Sequence, residues 1–128
     1  MKAEINLITI WTEDIKKMKD FYNKVLGFKI ENDLGGYVEF ENTGVRFAIC
    51  TRETMYEYSE EYKKKVSGQA FELAFPCENP SDVNKSYKKL IEMGAKAIQE
   101  PKNMPWNQRT ALFADPDGNI HEIFSEIE

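Results

Sequence analysis

Along this chain the hydrophobic pattern switches between a period near two and a period near 3.6, and the switches mark the elements. From Ile5 to Trp11 apolar and polar residues alternate loosely among good strand formers. That predicts a strand with Ile5, Leu7, Thr9 and Trp11 on one face and Asn6, Ile8 and Ile10 on the other. Thr12-Glu13-Asp14 then carries capping chemistry, with Thr12 or Asp14 as N-cap. Ile15, Met18, Phe21, Tyr22, Val25 and Leu26 follow at helical spacing, and Gly27 is the expected stop. Short strands are predicted over 28–31, 37–40 and 45–50, with a turn over 32–36 and a hairpin at Glu41-Asn42-Thr43-Gly44. The first part of the chain therefore reads β-α-β-β-β.

Residues 51–68 are polar and Tyr-rich, with Met55, Tyr58, Tyr62 and Val66 spaced by three and four. This predicts a connecting helix with one weak apolar stripe and an otherwise solvated surface. Beyond it the order recurs. Phe71 to Phe75 reads as a strand, Asn79-Pro80-Ser81-Asp82 as a cap, and Val83, Tyr87, Leu90 and Ile91 as a helical stripe closed by Gly94. A short strand over 96–99 and a loop over 100–108 lead into a hairpin around Asp115-Pro116-Asp117-Gly118-Asn119. The expected organisation is one domain over 1–128, with module one at about 1–50, a linker at 51–68 and module two at about 69–128.

The last strand raises the chemical question. Alternation puts Ile120, Glu122 and Phe124 on one face and His121 and Ile123 on the other. A carboxylate flanked by apolar neighbours is costly to bury unless it meets a cation, a metal or a hydrogen-bond donor. His121 alternates away from it and is expected on the outer sheet surface. Asp14 and Asp82 read as helix caps.

Composition narrows the class without naming a function. At 128 residues the chain can bury a real core, and 41% hydrophobic with 30% charged residues is an ordinary globular balance. A net charge of -5 argues against nucleic acid, which calls for clustered Lys and Arg. Cys50 and Cys77 make neither a disulfide framework nor a zinc spacing and are expected as buried filler, so a reduced cytoplasm is the expected compartment. No long apolar run suggests a leader or a membrane span.

With the repeat in place, the chain resembles the vicinal oxygen chelate superfamily, which includes glyoxalase I, extradiol dioxygenases and the bleomycin and fosfomycin resistance proteins. The residues carrying the resemblance are Asp14 with Phe21-Tyr22-Asn23-Lys24-Val25-Leu26-Gly27-Phe28 in the first module. In the second they are Glu72-Leu73-Ala74-Phe75, Leu90-Ile91-Glu92-Met93-Gly94-Ala95 and Asp115-Pro116-Asp117-Gly118-Asn119 ending in Glu122. The resemblance implies an α+β fold of two βαβββ modules forming a partly open eight-stranded barrel around a pocket, and a homodimer. It also implies a divalent metal held by one residue from the first and one from the fourth strand of each module. Those positions fall on Leu7, on Ala48 or with a shifted register Cys50, on Glu72 and on Glu122.

Leu and Ala cannot ligate a metal, and two carboxylates without imidazole suit Zn²⁺ or Ni²⁺ poorly, although they could hold Mg²⁺ or Mn²⁺ weakly. The expectation is therefore a small-organic-molecule-binding protein with a degenerate metal site and no obligatory cofactor. The alternative is a lyase or isomerase using Glu72 and Glu122 as acid and base, or as ligands of a weakly held ion. The same acids could instead pair with Arg46 or Arg109. The candidate pocket residues beside them are Leu7, Trp11, Phe47, Trp106 and Arg109, with Phe113 a further possible wall. Met104-Pro105-Trp106-Asn107-Gln108-Arg109 resembles a PWG-x-R loop with Asn107 in place of Gly.

Overall fold

A computed structural model describes residues 1–64 and 68–128. It divides into two compact units, 1–67 and 68–128. Val66 of the predicted linker stripe lies outside the described residues. Each unit carries a four-stranded mixed sheet, and the fold is α+β with two βαβββ modules, neither sheet closing on itself.

In the first unit β1 (Leu7–Thr12) is followed by α1 (Ile15–Asp20), β2 (Ile30–Asp33), β3 (Tyr37–Phe40) and β4 (Arg46–Thr51). Asp14 is the N-cap, its Oδ1 accepting from the Lys17 amide at 3.1 Å. The helical pattern does not stay α to Leu26. From Phe21 to Val25 it widens into a π-helical turn, in which the Leu26 amide reaches back to the Phe21 carbonyl at 3.1 Å. Both adjacent rings, Phe21 and Tyr22, are buried. Gly27 ends the helix at φ +86°, a left-handed conformation natural to glycine.

The strand order is β1-β4-β3-β2, with β1 and β4 parallel. One face of this sheet packs under the helix. Tyr22, Phe28, Phe40 and Phe47 form a ring cluster there with centroids 5.3 to 6.4 Å apart, beside buried Met18, Ile10, Val38 and Ile49. The linker is helical in two short pieces, α2 (Arg52–Tyr58) and a 3-10 turn at Glu60–Lys63, neither of which buries a residue completely.

The second unit repeats the plan with β5 (Ala74–Pro76), α3 (Pro80–Glu92), β6 (Lys96–Met104), β7 (Gln108–Ala114) and β8 (Ile120–Glu126). The order β5-β8-β7-β6, again with the first and last strands parallel, reproduces that of the first. Asn79 caps α3 and Pro80 occupies its first turn. The predicted loop over 100–108 is largely strand. Pro101 sits within β6, which is the sheet edge and shifts register twice between Ala97 and Lys102, a setting where a missing amide donor is tolerated. Among the described residues no helix is long and apolar enough to cross a membrane.

Candidate functional site

The chemistry-bearing residues follow from strand register. In β8 the side chains of Ile120, Glu122 and Phe124 share a face with Ala114, Leu112 and Thr110 of β7, and Ala74 of β5 stands directly opposite Glu122. His121, Ile123 and Ser125 point the other way, beneath α3. The expectation that His121 lies on the outer surface is therefore corrected. Its direction away from Glu122 stands, but the face it enters is the module core, where it is 1% exposed and packs edge-on to Phe75 and Phe113. Its Nδ1 accepts from the Leu73 amide at 3.2 Å, while Nε2 lies 3.6 Å from Asp115 Oδ2. The Leu73 carbonyl in turn accepts from the Glu122 amide at 2.9 Å. Leu73 is thus pinned on both sides, and this fixes the segment that carries Glu72 alongside Glu122.

Asp115 locks the hairpin that precedes β8. Its Oδ1 accepts from the Asp117 and Asn119 amides at 3.0 and 2.9 Å, and Oδ2 from the Asn119 side chain at 2.8 Å. Glu122 is half-buried, and its carboxylate has no hydrogen bond or ion pair among the described residues. Burial, and next the negative charge of Glu72, push its pKa above the ordinary carboxylate range.

The first module shows what stands at the same address. Gly44 and Gly118 occupy equivalent hairpin positions at φ +87° and +85°, so four residues further on Ala48 is the counterpart of Glu122. Ala48 pairs with Thr9 on one side and Glu39 on the other. The predicted Leu7 therefore lies one row away, opposite Arg46, and the shifted-register Cys50 lies one row the other way, opposite Trp11. The acid on this face is Glu39, which sequence reasoning passed over. Its Oε2 accepts from Arg46 Nε at 2.9 Å, and Oε1 accepts from Arg46 Nη2 and from the Tyr37 hydroxyl, both at 2.7 Å. Arg46, and then Tyr37, hold the Glu39 pKa down to about 2. Desolvation, with Glu39 second, pushes Tyr37 up to about 12. Burial likewise raises the thiol of Cys50.

One predicted wall residue needs correction. Phe47 pairs with Ile8 and joins the ring cluster under the helix, so it belongs to the core face. Phe113, weighed as a further wall, is likewise core. Arg109 pairs with Ser125 on the helix side, where its Nε donates to Asn84 Oδ1 at 2.8 Å and Nη1 to Asn103 Oδ1 at 2.9 Å. Arg109 is therefore not the counter-ion of Glu122. Trp106 is 58% exposed on a turn whose Asn107 takes φ +65°, the conformation glycine would adopt there. Leu7 and Trp11 share the face opposite the helix.

Trp11 also lines a cleft of about 480 Å³ inside the first unit, a size suited to a small ligand. Its other walls come from the linker, where Tyr56 and Tyr62 face it together with Arg52, Lys63 and Lys64, and Glu13 completes the rim. The linker is held against the sheet at Gly36. The Thr51 amide donates to the Gly36 carbonyl at 2.8 Å, and a Cβ on Gly36 would stand 2.7 Å from the Thr54 hydroxyl. The only sequence signal for this wall was the tyrosine content of 51–68.

Among the described residues no three His, Cys, Asp or Glu side chains converge to hold a metal. The donor chemistry agrees with that. Module one offers Thr9 and Ala48 where ligands would stand, and its nearby carboxylate is committed to Arg46 and Tyr37.

A family model described as a glyoxalase-like domain matches residues 5–128. The chain belongs to the glyoxalase-like domain family. It is 38% identical over 127 residues to the uncharacterized protein YraH of Bacillus subtilis (strain 168), covering 94% of this chain and 96% of that one. A glyoxalase/bleomycin resistance protein/dioxygenase from Nocardioides superposes with a TM-score of 0.87 at 25% identity, over 100% of this chain and 86% of that one. A glyoxalase/bleomycin resistance protein/dioxygenase family enzyme from Burkholderia phytofirmans PsJN superposes with a TM-score of 0.88 at 23% identity, over 98% and 100% of the two chains. These likenesses place the chain in the vicinal oxygen chelate superfamily, in which one fold serves many chemistries.

Proposed function

We propose that this glyoxalase-like protein binds a small organic molecule on the Glu122 face of its second module, without an obligatory metal. The observation that carries the reading is Ala48 at the counterpart of Glu122, with Thr9 and Ala74 opposite the two positions. Of these four positions only Glu122 carries a carboxylate or imidazole, so the family's donor set is not reproduced. Glu122, unpaired and beside Glu72, is left to orient a polar group of the ligand by hydrogen bonding. The test is native mass spectrometry of the purified protein before and after dialysis against EDTA. A co-purifying molecule that stays bound after chelation is expected. Release by EDTA and recapture on adding Mn²⁺ overturns the reading.

A second reading is favoured by the difference between the two acids. Glu122 is pushed toward its protonated form by burial and by Glu72. A pair of that kind can act as general acid and base in a lyase or isomerase. Glu122→Gln then abolishes turnover of an identified substrate, whereas an unchanged rate removes the acid-base role. The chain is further proposed to work as a homodimer in a reducing compartment. Light scattering should then return twice the 14.9 kDa of one chain, and a mass of one chain contradicts it.

A further inference from the structure

The cleft at Trp11 has a chemistry of its own. Trp11 and Tyr62 meet edge-on with centroids 4.9 Å apart and planes at 62°, so they form a corner against which a third flat ring can lie. Tyr56 adds another aromatic face, and Lys63 Nζ sits 5.9 Å from its centroid.

The charges are sorted unequally. Lys63 is paired with Glu60 at 2.8 Å, and Lys64 with Glu61. Arg52 is half-buried at the cleft, and its guanidinium has no hydrogen bond or ion pair with any described residue. In a chain of net charge -5, the described residues lining this cleft include three cations and one acid. A half-buried guanidinium without a partner is a fork of donors awaiting a carboxylate or phosphate. A cationic aromatic ligand would instead meet Arg52, Lys63 and Lys64.

We propose that this cleft binds a flat aromatic molecule bearing an anionic group, carboxylate or phosphate. Arg52 grips the anion, and Trp11, Tyr56 and Tyr62 take the ring. Glu13 at the rim supplies an acceptor for a hydroxyl or amino substituent. Every described lining residue belongs to the first unit, so the assignment does not rest on Glu72 or Glu122.

Isothermal titration calorimetry on the full chain tests it with four probes. These are 2-naphthoate, 2-naphthyl phosphate, the neutral 2-naphthamide and the saturated decahydro-2-naphthoate. At least one aromatic anion should bind about tenfold or more tighter than both the amide and the saturated acid, which is the discrimination one charge-assisted fork or a stacked ring typically gives. Whichever of the naphthoate and the phosphate is tighter identifies the head group. Arg52→Gln should bring that anion down to the affinity of the amide, while Arg52→Lys, keeping charge without the fork, should fall between. Equal binding of anion and amide, an anion affinity indifferent to Arg52→Gln, or no binding by either aromatic anion overturns the proposal.

Discussion

The two modules share a plan and differ in what they do with one acid. Both run strand, helix, three strands; both place the first strand parallel to the last; and both reverse into the last strand through a glycine of positive φ. On the face away from the helix, the first module carries Glu39, gripped by two nitrogens of Arg46 and by Tyr37. The second carries Glu122, whose carboxylate has no such partner among the described residues and whose near charge is another acid, Glu72. One carboxylate is held ionised by its neighbours and the other is pushed toward neutrality. A duplicated scaffold thus keeps its packing rules while its two faces diverge, because packing depends on the helix side and chemistry on the other.

The largest effects should come from the side the modules share. Phe40 and Phe113 are both fully buried, and replacing either with Ala should cost about 3–5 kcal/mol in urea denaturation. A loss below about 1 kcal/mol at one of them would show that the two cores are not equivalent.

A smaller and opposite pair of effects should separate the faces. Glu39 has a depressed pKa of about 2, so its contribution is present at neutral pH and is lost as pH falls from its ordinary value of 4.5 through 2. Glu122 has a raised pKa, so the fold resists its ionisation; that penalty is absent below 4.5 and grows as pH rises through the folded value. Glu39→Gln should therefore lower Tm at pH 7, by an amount that shrinks toward pH 3. Glu122→Gln should raise Tm at pH 7 and leave it unchanged near pH 4. If both substitutions move Tm in the same direction at neutral pH, the contrast between the faces fails.

Much of this was readable in the chain. The repeat, the hairpin at Asp115 to Asn119, the stops at Gly27 and Gly94 and the alternation that separates Glu122 from His121 rest on local chemistry and period, which sequence carries directly. Alternation tells which residues share a face and not which face is covered, so it cannot place His121 beneath α3. The offset between two parallel strands is set by tertiary packing. Only the pairing of Ile8 with Phe47 separates Phe47 from Leu7 and Trp11. The same ignorance of register hid Thr9 and Ala74 as the residues opposite Ala48 and Glu122. Arg46 and Glu39 are seven residues apart on adjoining strands, a pairing that only the β3–β4 register brings together. The length of β6 was masked by Pro101, which sequence rules penalise in a strand interior but an edge accommodates.

The most direct test of the divergence is metal binding by the full chain, because four intact donors would restore the role that Ala48 withdraws. Protein purified without chelator should contain no stoichiometric metal by elemental analysis, and its Tm should not rise on adding Zn²⁺, Ni²⁺, Mn²⁺ or Mg²⁺. One ion per chain, or a rise in Tm with any of these ions that Glu122→Gln abolishes, would contradict the account.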